Sequence, residues 1–176
     1  KGRESAKFIE PDNLKAFIDY AERLSTKSYK HYYRFVVFKL LLATGCRIGE
    51  LTALEWSAID LKEKTITISK TYSQEIRMIG ETKTKAGTRK ISIDSKTALM
   101  LRQYQNRQRL MFLEVGAQAP SVVFATTVRE YLPRHSLQQI IDKRCETLGI
   151  PRFTCHAFRH THASLLLNAG ISYQEL

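Results

Sequence analysis

Residues 35–43 read Phe-Val-Val-Phe-Lys-Leu-Leu-Leu-Ala, apolar at every position except Lys39. The run sits in a helical stretch from about Lys30 to Thr44 and is apolar on all sides of the helix. Such a helix has to be wrapped by other elements, so it belongs at the centre of a core. Gly45 ends it, because glycine takes positive φ without steric cost. The run is far shorter than the roughly 18–20 apolar residues of a membrane span. No longer one occurs, so no membrane span is expected. At 176 residues the chain is long enough for one domain with a real core.

Around that helix the pattern is mainly helical. Pro11 and Asp12 open a helix with Leu14, Phe17, Ile18, Ala21 and Leu24 on its apolar face, and residues 25–29 break it. A short helix is expected over 48–54, and a turn over 60–64. Three segments are read as strands, 65–69, 72–79 and 89–93, from β-branched content and alternation. Short connections make them a small three-stranded antiparallel sheet. Asp94 or Ser95 caps a long helix to about Val115, closed by Gly116. Another helix spans 136–148, with Gly149 and Pro151 after it, and Thr154 caps one that runs through Asn168. Ser172 with Glu175 forms a capping box, so a further helix is expected to start where the sequence stops. The fold class is therefore mainly α with a small antiparallel sheet (α+β).

Charge narrows the partner. Lys plus Arg number 28 against 17 Asp plus Glu, a formal net charge of +11. A surplus of that size favours a polyanion. The basic residues are spread along the chain rather than packed into one amphipathic helix, which favours nucleic acid over a lipid surface. Three cysteines, Cys46, Cys145 and Cys155, lack C-x-x-C spacing. No signal peptide is expected, and the expected location is reducing and cytoplasmic.

Four basic side chains in three segments carry the candidate chemistry. Arg47 follows Gly45 beside the most apolar helix and is expected to be partly buried, so it needs an anionic partner. Glu50 is one candidate and a phosphate the other. Lys83 and Lys85 lie in the loop between the last two strands, with Arg89 and Lys90 next in line. They form either a solvated basic loop or a reach into a site. His156 and Arg159 fall in the first two turns of the helix capped by Thr154. Spacing of three places them on one face, where free N–H groups and the helix dipole also favour an anion. His160 and His162 suggest a metal beside His156, but no acidic or cysteine ligand is near in sequence, so no metal and no cofactor are expected. Tyr173, in the capping box, is expected to face solvent.

Taken together, the Arg47-Ile-Gly-Glu-Leu segment, the Lys83-Thr-Lys loop followed by Arg89, and His156-Ala-Phe-Arg-His-Thr resemble the tyrosine recombinases, most closely the integrases of phages and conjugative transposons. The resemblance spans nearly the whole chain. It implies the catalytic-domain fold of the DNA breaking–rejoining enzymes, and site-specific recombination through a 3′-phosphotyrosyl intermediate.

By that resemblance Arg47 and Arg159 clamp the scissile phosphate, His156 binds it and assists proton transfer, and Lys83 protonates the leaving 5′ oxygen, with Lys85 as the alternative acid. Glu50 takes an acidic supporting position. Lys85, Arg89, Lys90 and His160 are assigned to DNA contact. The partner is double-stranded DNA, and the full-length protein is expected to act as a homotetramer on it. The family's nucleophilic tyrosine, and a further active-site His or Trp, fall beyond Leu176. Residues 1–176 therefore read as a catalytic domain truncated before its nucleophile, with the N-terminal DNA-binding modules absent, and the polypeptide as it stands is expected not to cleave DNA. Cys155 stands where many relatives carry proline. The alternatives are a non-catalytic DNA-binding protein of the same fold and a type IB topoisomerase.

Overall fold

The computed structural model describes residues 5–73, 78–81, 87–125, 132 and 134–168. The chain forms two compact units, one from Lys1–Ile48 with Arg134–Leu176 and one from Gly49–Pro133. Among the described residues no helix is long and apolar enough to cross a membrane.

The first unit is helical. α1 (Pro11–Ser25) begins on a proline, whose missing N–H costs nothing in the first turn. α2 (Tyr29–Thr44) is capped by Ser28, whose hydroxyl accepts from the His31 amide, and ends at Gly45 with φ +61°. Its Val36, Val37, Phe38, Leu40 and Leu41 are fully buried, as an all-round apolar helix requires. α5 (Arg134–Leu148) and α6 (Cys155–Asn168) complete the unit. Four rings form its centre. Phe17 meets Phe38 edge-on at 5.0 Å and Phe153 at 5.1 Å, and Phe158 stacks on Phe38 at 5.7 Å. Such pairs add about 0.5–1.5 kcal/mol each beyond the area they bury.

The second unit takes in the rest of α3 (Ile48–Thr52), a sheet, a ribbon and one long helix. In the sheet, β2 (Thr65–Ile68) lies between β1 (Ile59–Asp60) and β5 (Arg89–Ser92), all antiparallel. Asp60 holds the β1–β2 turn by accepting from the Lys62 and Glu63 amides. α4 (Ser95–Glu114) is capped by Asp94, which accepts from the Thr97 amide at 2.7 Å. Its inner face carries Tyr104 and Gln108, both fully buried. Tyr104 donates to the Val123 carbonyl at 2.7 Å. Gln108 donates to the same oxygen at 2.9 Å and accepts from the Trp56 indole at 2.8 Å, so a buried amide is satisfied on both ends.

The segment read as one strand over 72–79 is two. β3 (Lys70–Ser73) pairs antiparallel with β4 (Met78–Glu81), Ser73 opposite Met78. None of its described residues is buried. With no buried face to fix a register, hydrophobic alternation says little about where such a chain turns. The third strand of the sheet is instead the two-residue β1, within a stretch read only as the approach to a turn.

Candidate functional site

The C-terminal end of α2 and the first turns of α6 are joined by two side chains one turn apart. Arg159 donates from Nη1 to the Gly45 carbonyl at 2.7 Å. His162 places Nδ1 2.7 Å from the Leu42 carbonyl. A carbonyl oxygen only accepts, so Nδ1 carries the proton. Burial pushes the His162 imidazole below its ordinary value, which keeps it in this neutral form. Both bonds use carbonyls at the end of α2 that have no partner within the helix. The fit is close: a Cβ on Gly45 would lie 2.5 Å from His162 Cδ2.

α6 is itself set by α5. Gln138 accepts from the Cys155 amide at 3.1 Å and donates to the Phe153 carbonyl at 3.0 Å. This fixes the start of α6 at Cys155, as Thr154 in the sequence suggested. His156 then projects, exposed, from the first turn. His160 meets it edge-on at 4.6 Å. The His156 imidazole is held below its ordinary value by partial desolvation first, then by His160, Arg159, Arg47 and Arg134. Four basic groups press on one ring, so Arg47, His156 and Arg159 belong to a single cationic cluster.

Arg47 is exposed rather than partly buried. The chain leaves Gly45 with Cys46 and Ile48 turned inward, which leaves the side chain between them facing out. Arg134, in the first turn of α5, belongs to the cluster too. A lone charge at a helix start carries no pattern that reading the sequence could have used.

With its imidazole held below the ordinary value, His156 in its neutral form offers a donor and an acceptor near two guanidinium groups. Arg159 has one arm pinned to Gly45, so the rest of its planar fork is aimed rather than free to rotate. Such an arrangement suits a tetrahedral oxyanion, which takes several charge-assisted hydrogen bonds at once.

In the second unit Glu50 is 3% exposed and is gripped by both arms of Arg89, at 2.8 Å and 3.0 Å. The sequence offered Glu50 to Arg47 and Arg89 to DNA. The structure spends the Arg89 fork on Glu50. Gly49 leaves room for the ribbon, since a Cβ there would lie 2.9 Å from the Tyr72 carbonyl. Lys90 is exposed on β5. Lys83, Lys85 and Tyr173 lie outside the described residues.

The sequence profile of the phage integrase family matches residues 7–176. The chain is 28% identical over 179 aligned positions to the ICEBs1 integrase of Bacillus subtilis, covering 97% of this chain and 46% of that protein. It is 32% identical over 140 positions to the integrase of Staphylococcus phage L54a, covering 76% and 40%. The chain thus spans less than half the length of these relatives. Among solved structures, the Tn1549 transposon integrase in complex with circular intermediate DNA superposes with a TM-score of 0.79 at 20% identity, over 98% of this chain and 58% of that one. That likeness extends to the fold.

Proposed function

The chain belongs to the phage integrase family, and from that premise we propose that it is the catalytic domain of a tyrosine recombinase that integrates or excises a mobile element. The observation that carries the reading is the cluster on α6, where Arg47 and Arg159, from opposite ends of the sequence, both act on His156.

In the proposed reaction a tyrosine hydroxyl presented to this cluster attacks the phosphorus of a DNA phosphodiester. The bond to the 5′ oxygen breaks and a 3′-phosphotyrosyl bond forms. Arg47 and Arg159 hold the non-bridging oxygens and offset the charge that grows on them. His156 hydrogen-bonds the same group and assists proton movement. Lys83, or Lys85 in its place, gives the departing 5′ oxygen its proton. Attack by a 5′ hydroxyl on the phosphotyrosyl bond reverses the sequence, and the retained ester makes ATP unnecessary. Glu50 and Arg89 support the second unit from inside, while Lys90 and His160 contact the DNA backbone.

The partner is double-stranded DNA, in keeping with the net charge of +11 and the DNA named with the Tn1549 integrase. The full-length protein acts as a homotetramer. A cytosolic setting suits three buried free thiols, with burial pushing Cys155 up to about 11.

A crystal soaked in vanadate tests the reading directly. One oxyanion touching Arg47, His156 and Arg159 supports it. An empty cluster, or an anion that touches only one of the three, removes the phosphate clamp and leaves a DNA-binding fold.

A further inference from the structure

A second group of cations sits at the other end of α2, in the same unit. Arg34 is 11 residues before Gly45 in the sequence, about 16 Å along the axis at roughly 1.5 Å per residue. Arg144 of α5 is 4% exposed. Its guanidinium lies 5.0 Å from the centre of the Phe38 ring and 5.8 Å from that of Phe17. Arg34 Nε and Arg144 Nη1 are both buried without a hydrogen-bond partner among the described residues. His31 stands one turn before Arg34, with Nδ1 2.8 Å from the Ser28 hydroxyl.

Among the described residues no carboxylate is ion-paired with either guanidinium. The Arg144 guanidinium is pushed down to about 10 by burial first and then by Arg34, with the Tyr20 phenol acting the other way. The charged groups acting on His31 are Arg34, Arg144, Lys27 and Lys30, every one basic. A buried guanidinium with an idle donor is costly, and a second guanidinium beside it adds to the cost. A cation against aromatic faces recovers part of it. An aromatic face is only a weak acceptor for an N–H, so the rings do not replace the oxygen partners that Arg34 Nε and Arg144 Nη1 lack among the described residues.

We propose that Arg34 of α2 and Arg144 of α5 form a second oxyanion-binding site, separate from the α6 cluster, that takes a phosphate group. Phosphate suits it better than a carboxylate. Donors arrive from two helices, and a tetrahedral group presents acceptors in both directions with an oxygen left for His31, whereas a carboxylate presents them in one plane. Lys27 and Lys30, both exposed, draw anions toward the site. The phosphate is either free in solution or part of a DNA backbone.

The test titrates inorganic phosphate, at constant ionic strength against chloride, into the protein carrying Arg47→Ala and Arg159→Ala, which silences the α6 cluster. The expected result is a saturable rise in Tm of about 3–6 °C at tenfold excess over the dissociation constant. Adding Arg34→Gln or Arg144→Met abolishes the rise. Without phosphate, Arg144→Met melts no lower than its parent, because an apolar side chain now fills the space over the rings. A parent that responds to phosphate no more than to chloride, or a rise that survives Arg34→Gln, overturns the proposal. Should the parent fail to fold, crystals of the unmodified protein grown with selenate decide, and the absence of selenium between Arg34 and Arg144 is fatal to it. A short DNA duplex then separates the sources. If a backbone phosphate is held here, Arg34→Gln lowers the slope of log affinity against log salt by about one. An unchanged slope assigns the site to free phosphate.

Discussion

Arg159 donates to the carbonyl of Gly45, 114 residues earlier in the chain, at 2.7 Å. The anchor takes one arm of the guanidinium and leaves the rest aimed. Within the complete recombinase, Arg159→Ala is expected to lower single-turnover strand cleavage by about 10²–10³-fold or more while most DNA affinity remains. Arg159→Lys should fall nearly as far, because an ammonium cannot bond Gly45 and grip two oxygens in one plane. Cleavage at the wild-type rate in either variant would remove Arg159 from the phosphate clamp.

Gly45→Ala should cost more than its backbone alone explains. Positive φ costs an L-residue about 1–2 kcal/mol, and the new methyl would meet His162 at 2.5 Å. His162 cannot swing aside without giving up the Leu42 carbonyl, about 0.5–1.5 kcal/mol more. Gly116 also has positive φ but faces open space, so Gly116→Ala reports the backbone part by itself. Thermal melts of the two variants give the difference. Equal losses would mean that His162 yields freely.

Arg89→Leu removes both guanidinium bonds to the Glu50 carboxylate, 3% exposed, and is expected to destabilise by about 3–5 kcal/mol. Glu50→Gln keeps an acceptor for Arg89, whose side chain is 23% exposed and reaches water, and should cost clearly less. Denaturant unfolding of both variants checks the order. A reversed order would show that Arg89, not Glu50, is the group that depends on the pair.

Stability should fall on mild acidification. His31, His156 and His162 all sit below 6.5 in the folded chain, so the unfolded chain takes up their protons first. Their contribution is complete above about pH 6.5 and is lost as pH drops through the lowered folded values. His162→Asn removes one titrating group and should flatten the slope between pH 7 and 5. A slope unchanged by that variant would show that His162 does not contribute to it.

Local signals carried most of the helical framework. The apolar run in α2, Gly45 after it, Asp94 before α4 and Thr154 before α6 are all resolved within a few residues of sequence. The α6 cluster was legible because His156 and Arg159 are three residues apart on one helix. Arg89 joins Glu50 39 residues away, and neither neighbourhood points to the other. The β3–β4 ribbon was hidden for another reason: strands with no buried face pair by backbone bonds, which any side chain permits. Arg144 read as one more dispersed surface charge, and only the packing of α5 against Phe17 and Phe38 reveals it as interior.

The unit that holds Arg47, His156 and Arg159 is made from the two ends of the chain, with Gly49–Pro133 synthesised in between. At roughly 5–20 residues per second, the ribosome spends about 4–17 s on that insertion after Arg47 has been made. Throughout that interval α2 has neither α5 nor α6 to cover its apolar faces, and Arg47 has no opposing guanidinium. The grip on an oxyanion is therefore a late event in the life of each molecule. A nascent chain still tethered near nucleic acid has charge but no assembled clamp.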